Sequence, residues 1–295
     1  MATSSPLISI VIPTYEMKGQ GISFLKRCLD SLQKQINIDT QNIEVVISDQ
    51  SNDDVIEQFC KSHPFAIRYH RTSTGRGIAA HNLNIGISHA KGRYVKILFQ
   101  DDLLVEANHL ATIIHAIENT QPQCILTGAT HTRNGIDFYN PITPKNNPYF
   151  LFGNNTVSSP SVLIVAKRVL EAIPFDEHLK LLFDCDFYYQ LFKQCESMVI
   201  LDSVFVANGV WDGQTQFAIG EKQFSKEVRY LNWKHPSARL SKTIAPYQEF
   251  FANLHPNASF PFDANIKPSW MDKIWWVLTR KNRLSKSSQR LGTPP

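Results

Sequence analysis

The sequence predicts an α/β fold: a mostly parallel sheet flanked by helices, carrying a C-terminal helical extension. Two observations predict it. Short β-branched runs alternate with segments whose apolar residues recur at helical spacing, and that alternation implies parallel strands joined by crossover helices. The runs are also continuously apolar, as suits strands covered on both faces.

The elements follow in order. "LISIVI" (7–12), bounded by Pro6 and Pro13, is the first strand. "ISFLKRCLDSLQKQ" places Phe24, Leu25, Cys28, Leu29 and Leu32 on one helical face, and "EVVIS" returns to strand. "AIRYH" is a third strand, "GIAAHNLNIGISHA" a helix with Ala80, Leu83 and Ile87 aligned, and "RYVKILF" a further strand. The main domain is expected over 1–215, with 1–110 and 111–215 as its two sides; 216–267 forms the helical extension and 268–295 an aromatic and basic tail.

Ligands of such sheets bind outside the carboxyl ends of the strands. Those ends carry Pro13, Thr14 and Tyr15; Ser48 and Asp49; and Gln100, Asp101 and Asp102. Asp, Asn and Ser also favour plain turns, but acids recur at two ends, and adjacent carboxylates are commonly held together by a hard divalent cation. Asp53 and Asp54 stand where a helix cap is expected. Arg76, between two glycines in "TGRGIAAHN", has a close path to phosphate, the alternative being a solvated loop arginine. In "FDCDFYYQLF", Asp184 opens the inward face of a helix. The helix N-terminus is expected to hold its pKa down, leaving an ionised proton acceptor or a simple cap.

The 295 residues, 43% hydrophobic and 19% charged, describe one large globular domain or two modest ones. A net charge of +4 is too mild to argue for nucleic acid. Five cysteines without C-x-x-C spacing suggest neither a disulfide framework nor zinc, and fit a reducing compartment. No basic leader precedes the first apolar run and none of the apolar runs approaches a bilayer span, so a cytoplasmic location is expected.

"ISIVIPTYE", "EVVISDQSNDD", "GIAAHNLNIGISHAKGRYVKILFQDDLL" and "SSPSVLIVAKRVLEAIPFDEHLKLLFDCDFYYQLF" together resemble the inverting GT-A-fold glycosyltransferases of the family 2 type. The resemblance covers roughly 7–110 and 158–192. It implies a nucleotide-sugar donor of UDP or dTDP type, with Pro13, Thr14 and Tyr15 cupping the base and Asp49 reading its edge. Arg76 and Asn84 would approach the donor, Asp101 the ribose and metal, and Asp102 would coordinate Mg²⁺ or Mn²⁺. Asp184 matches the catalytic base. Trp211 and Asp212 fall in a loop that closes on donor or acceptor, Trp211 either stacking on a sugar or anchoring the loop. The acceptor implied is a glycan or lipid-linked glycan of surface polysaccharide synthesis. A nucleotidyltransferase would need a basic Gly-rich loop after the first strand, and "PTYEMKGQG" has no Arg. A binding protein without turnover would lack a metal acid or the base, and both are present. The tail 268–290, with Trp270, Trp275 and Trp276 ahead of Arg280, Lys281 and Arg283, has the composition of a peripheral anchor for the inner membrane face, or of a helix that packs back on the protein.

Overall fold

A computed structural model describes residues 5–64, 66–214, 219–263 and 265–278. The chain forms two compact units, 1–218 and 219–295.

The first unit is built on one nine-stranded sheet. Its strands are β1 (Ile8–Thr14), β2 (Ile43–Asp49), β3 (Ile67–Arg71), β4 (Tyr94–Ile97), β5 (Leu103–Leu104), β6 (Cys124–Thr132), β7 (Tyr139–Ile142), β8 (Leu163–Ala166) and β9 (Met198–Gly209). They lie in the order β3-β2-β1-β4-β8-β6-β9-β5, with β7 on β6. From β3 to β4 the pairing is parallel throughout, in the register Thr14 to Asp49 and Val11 to Ile97. Beyond β4 the sheet is mixed: β8 is antiparallel to both β4 and β6, β9 is parallel to β6, and β5 is antiparallel to β9.

Helices α1 (Gly21–Gln33), α2 (Val55–Ser62) and α3 (Ala79–His89) cover the parallel part. The apolar faces predicted for α1 and α3 are the buried ones, including Leu25, Cys28, Leu29, Ala80 and Leu83. Gly86 lets α3 lie close on the sheet, since a Cβ there would meet Val11 Cγ1 at 2.5 Å. Helices α4 (His109–Thr120), α5 (Lys167–Ala172) and α6 (Phe183–Gln194) complete the unit. Lys96 sits fully buried in β4, with Nζ donating to the Ser161 carbonyl; burial lowers its pKa to about 7. That bond, with Phe99 N donating to Ser161 Oγ at 2.8 Å, ties the turn at 159–161 to the end of β4.

The second unit contains α7 (Glu221–Lys234), α8 (Leu240–Leu254) and a helix at 270–278, α9. An aromatic cluster of Tyr247, Phe251, Phe260 and Phe262 forms part of its core. Among the described residues no helix is long and apolar enough to cross a membrane.

Candidate active site

Strand β1 has β2 on one side and β4 on the other, so strand order reverses there, and in sheets of this kind ligands bind outside the carboxyl ends at such a point. The turn after β4 carries Gln100, Asp101 and Asp102, and all three are buried. Gln100 fastens this turn to the end of β1, accepting from Tyr15 N at 3.0 Å and donating to Gly21 O at 2.7 Å.

The acid pair is buried: Asp102 is 3% exposed and Asp101 7%. Asp102 Oδ1 accepts from Gly209 N at 2.8 Å and Oδ2 from Ser159 Oγ at 2.9 Å. Asp101 Oδ2 accepts from Trp211 Nε1 at 3.1 Å and Gln214 Nε2 at 3.2 Å. Burial, then the neighbouring Asp101 charge, raises the Asp102 carboxyl to about 7; burial raises Asp101 as well. Gly209 is required at its position, because a Cβ there would overlap the Asp101 carbonyl.

From Asp102 a hydrogen-bonded chain runs to the start of α6. Ser159 Oγ lies 2.9 Å from Asn208 Oδ1, Asn208 Nδ2 donates to Ser158 Oγ at 2.5 Å, Ser158 O accepts from Asn155 Nδ2 at 2.9 Å, and Asn155 Nδ2 also reaches Asp184 Oδ2 at 2.8 Å. Ser158 holds φ at +105°, a conformation side chains rarely adopt; such strain concentrates at functional sites. Asp184 is half-buried while its neighbour Asp186 is fully buried and bonded to Gln190 at 3.0 Å. The expected lowering of the Asp184 pKa is corrected: desolvation outweighs the helix N-terminus and the Cys185 and Asn155 donors, and the carboxyl titrates at about 6.

The nucleotide-side residues divide into those at least partly exposed and those turned inward. Asp49 is 0% exposed: Oδ1 accepts from Ser51 N at 2.9 Å, Ser51 Oγ at 2.7 Å and Thr14 Oγ1 at 3.2 Å, and Oδ2 from Tyr69 OH at 2.6 Å. Both oxygens accept bonds from within the chain and the side chain is fully buried, so Asp49 fastens β1 to β2 and β3 through Thr14 and Tyr69 and presents no open edge to a base. Asn84 is likewise committed. Its amide nitrogen donates to Phe175 O at 2.9 Å and Glu177 Oε1 at 3.0 Å, and its oxygen accepts from Phe175 N at 3.1 Å, clamping α3 to the 175–177 segment. Pro13 and Thr14 are buried in β1, while Tyr15 is half-buried. Arg76 lies between Gly75 and Gly77, both at positive φ, and pairs with Glu16 at 2.5 Å, which brings it across to the residue that follows Tyr15. Asp53 Oδ1 accepts from Val55 N at 3.3 Å at the start of α2, and no side-chain cap from Asp54 is present.

The 208–216 loop is described to Gln214. Trp211 is its anchor, 9% exposed, packed with Met17 and Phe24 and hydrogen-bonded to Asp101, so its ring is not free to stack on a sugar. Asp212 is exposed, 3.5 Å from Arg133. Among the described residues no three His, Cys, Asp or Glu side chains converge as a metal cage. Two adjacent carboxylates with raised pKa values nonetheless fit a hard dication, whose charge would offset the desolvation that raises them.

The glycosyl transferase family 2 model matches residues 9–170, more than half of the chain. The chain belongs to glycosyl transferase family 2. A relative in Rickettsia bellii, named an uncharacterized glycosyltransferase, is 27% identical over 285 residues, covering 85% of this chain but 39% of that protein. GlyG of Streptococcus pneumoniae is 29% identical over 126 residues, 41% of this chain and 38% of that protein. The chain thus spans about two fifths of the length of either relative. Among solved structures, S. aureus TarS 1-349 in complex with UDP-GlcNAc matches with a TM-score of 0.65 at 18% identity, over 85% of this chain and 74% of that one. The mannosyltransferase PcManGT of Pyrobaculum calidifontis, in complex with GDP-Man and Mn²⁺, matches at 0.54 and 17%, over 99% and 78%. These two likenesses concern the fold.

Proposed function

We propose that the protein transfers a sugar from a nucleoside diphosphate sugar, UDP or dTDP type, to an acceptor hydroxyl with inversion. The observation that carries this reading is the hydrogen-bonded chain from Asp102 to Asp184, which joins an acid pair suited to a divalent cation to a half-buried carboxylate with a pKa of about 6. Structural neighbours bound to UDP-GlcNAc and to GDP-Man with Mn²⁺ support the donor class and the metal.

In this reading Pro13, Thr14 and Tyr15 line the base pocket, with Asp49 holding its floor through Thr14 and Tyr69. Arg76 exchanges Glu16 for the donor phosphates. Asp101 and Asp102 hold Mg²⁺ or Mn²⁺, which supplies charge stabilisation for the departing diphosphate. Asp184 accepts the proton of the acceptor hydroxyl as that oxygen attacks the anomeric carbon, opposite the leaving nucleotide. No covalent intermediate is required. The buried chain through Asn155, Ser158 and Asn208 fixes Asp184 and Asp102 relative to one another before substrate arrives, which is where positioned general bases gain their advantage. The acceptor in this reading is a glycan or lipid-linked glycan of polysaccharide biosynthesis, met at the cytoplasmic face of a membrane by peripheral contact.

The test is release of nucleoside diphosphate from a panel of sugar nucleotides with Mn²⁺ present, followed by stereochemical assignment of the product. A panel giving no release with any donor would refute the reading, and so would retention of configuration.

A further inference from the structure

The second unit differs from the first in charge and in what its last described helix shows to solvent. Residues 219–295 carry thirteen Lys and Arg against five Asp and Glu, a net +8, which leaves −4 on residues 1–218. The modest overall charge of the chain therefore conceals a strongly cationic unit.

Helix α9 begins with a reciprocal cap: Asp272 N donates to Ser269 Oγ and Ser269 N donates to Asp272 Oδ2, each at 3.1 Å. It is fastened by Trp276, 1% exposed, whose ring lies 5.2 Å from Tyr230 and 5.4 Å from Trp233 of α7. Trp270, Met271, Ile274, Trp275, Val277 and Leu278 remain between 42% and 70% exposed. At 3.6 residues per turn these six occupy an arc of roughly 160° centred opposite Trp276, and Asp272 and Lys273 fall outside it. A surface helix of a water-soluble protein ordinarily buries its apolar arc; here one residue is buried and the wide apolar arc faces outward. Lys226 Nζ sits 4.5 Å from the Trp275 ring, placing a cation at the rim of the patch. The sequence directly beyond carries Arg280, Lys281, Arg283, Lys286 and Arg290 and no acidic residue.

We propose that the outward arc of α9 is an interfacial anchor that seats the C-terminal unit on an anionic lipid surface, with Trp270 and Trp275 at headgroup depth and the net positive charge of the unit, Lys226 at the rim of the patch included, drawn to lipid phosphates. A polyanion alone would account for the charge but not for six exposed apolar side chains in one arc, whereas a bilayer interface accounts for both. The proposal rests on the peripheral-contact part of the function read above and not on the transfer chemistry, which is measured beside it.

The experiment uses the full chain and sedimentation with vesicles of phosphatidylcholine, with and without phosphatidylglycerol. The wild type is expected to bind the phosphatidylglycerol vesicles, to leave neutral ones in solution, and to be released by high salt. Ile274→Asp with Leu278→Asp, at the centre of the exposed arc, is expected to abolish binding. Replacement of Arg280, Lys281 and Arg283 by Gln is expected to weaken it about 100-fold by removing three positive charges from the unit. Nucleoside diphosphate release is expected to be unchanged in both variants, so failure of the anchor and failure of the transferase reading are separable. Wild type that binds neither vesicle overturns the proposal, as does vesicle binding that survives both sets of substitutions. A wild-type dimer in solution that the aspartates dissociate, without vesicle binding, assigns the face to a second copy and overturns it too.

Discussion

Replacing Asn155 by Asp tests the coupling between the candidate base and its support. The substitution is nearly isosteric and keeps the Oδ1 acceptor used by Val157 N at 2.9 Å and Ser158 N at 3.0 Å, while giving up the bond that Nδ2 donates to Ser158 O at 2.9 Å. It removes the Asn155 side-chain donor to Asp184 Oδ2, at 2.8 Å, and puts a carboxylate there instead. A hydrogen bond to a charged group contributes about 1.5–3 kcal/mol, and one pKa unit corresponds to about 1.4 kcal/mol. Loss of the donor alone therefore raises the pKa by one to two units, and like-charge repulsion adds to it. Starting from about 6, Asp184 is expected to titrate near 8 in the variant. A general base works in its ionised form, so activity rises with pH through the pKa and the ascending limb moves to higher pH. At pH 7 the ionised fraction falls from about nine tenths to about one tenth, a roughly tenfold loss recovered near pH 9. The assay is kcat/KM for nucleoside diphosphate release between pH 5 and 9. An unshifted limb, or a loss that is the same at every pH, would refute the assignment of Asp184 as the titrating base.

Asp184→Asn is expected to lower turnover about 100-fold or more with nucleotide affinity unchanged, read by single-turnover rates beside titration calorimetry. Asp102→Asn is expected to remove Mn²⁺ stimulation while the fold is retained, because the amide oxygen can still accept from Gly209 N, the amide NH₂ can donate to the Ser159 hydroxyl, and a neutral side chain is free of the Asp101 repulsion. Initial rates over a Mn²⁺ titration check it beside thermal unfolding, and stimulation that persists in a folded variant would remove Asp102 from the metal site. Gly209→Ala drives a methyl group against the Asp101 carbonyl and is expected to lower the melting temperature and activity together.

The parallel half of the fold was legible because its signals are local. Continuous apolar runs mark β1 and β2, and helical spacing marks α1 and α3, with no need of distant partners. Beyond residue 100 the signals weaken for physical reasons. Strand β5 is two residues long and exists because Leu103 and Leu104 pair with Ala207 and Val206 across the chain. Strand β9 runs for twelve residues with Asp202 and Ser203 in its middle, where its register against β6 shifts. Asp101, Asp102 and Asp184 stand out in the sequence by motif and position. Their burial was not, since Gly209 lies 107 residues from Asp102 and Asn155 lies 29 from Asp184. Asn84 looked like a ligand because a polar residue on a helix near strand ends has that appearance; its partners, 91 residues on, made it a clamp. Ser158, Ser159 and Asn208 gave no warning beyond a polar composition. Lys96 gave none, because a lysine in a strand ordinarily reads as a solvent-facing position.

The unbroken run of strands from β3 to β5 has a mechanical consequence. Its two parts, β3 to β4 and β8 to β5, share one backbone-bonded plate, so the end of β4, where the acid pair follows, is held in register by the strands on either side of it. A substitution that tilts β8 therefore shifts the 159–161 turn leading into it, and with that turn the Ser159 hydroxyl on Asp102, so a change made in the sheet is felt at the carboxylate.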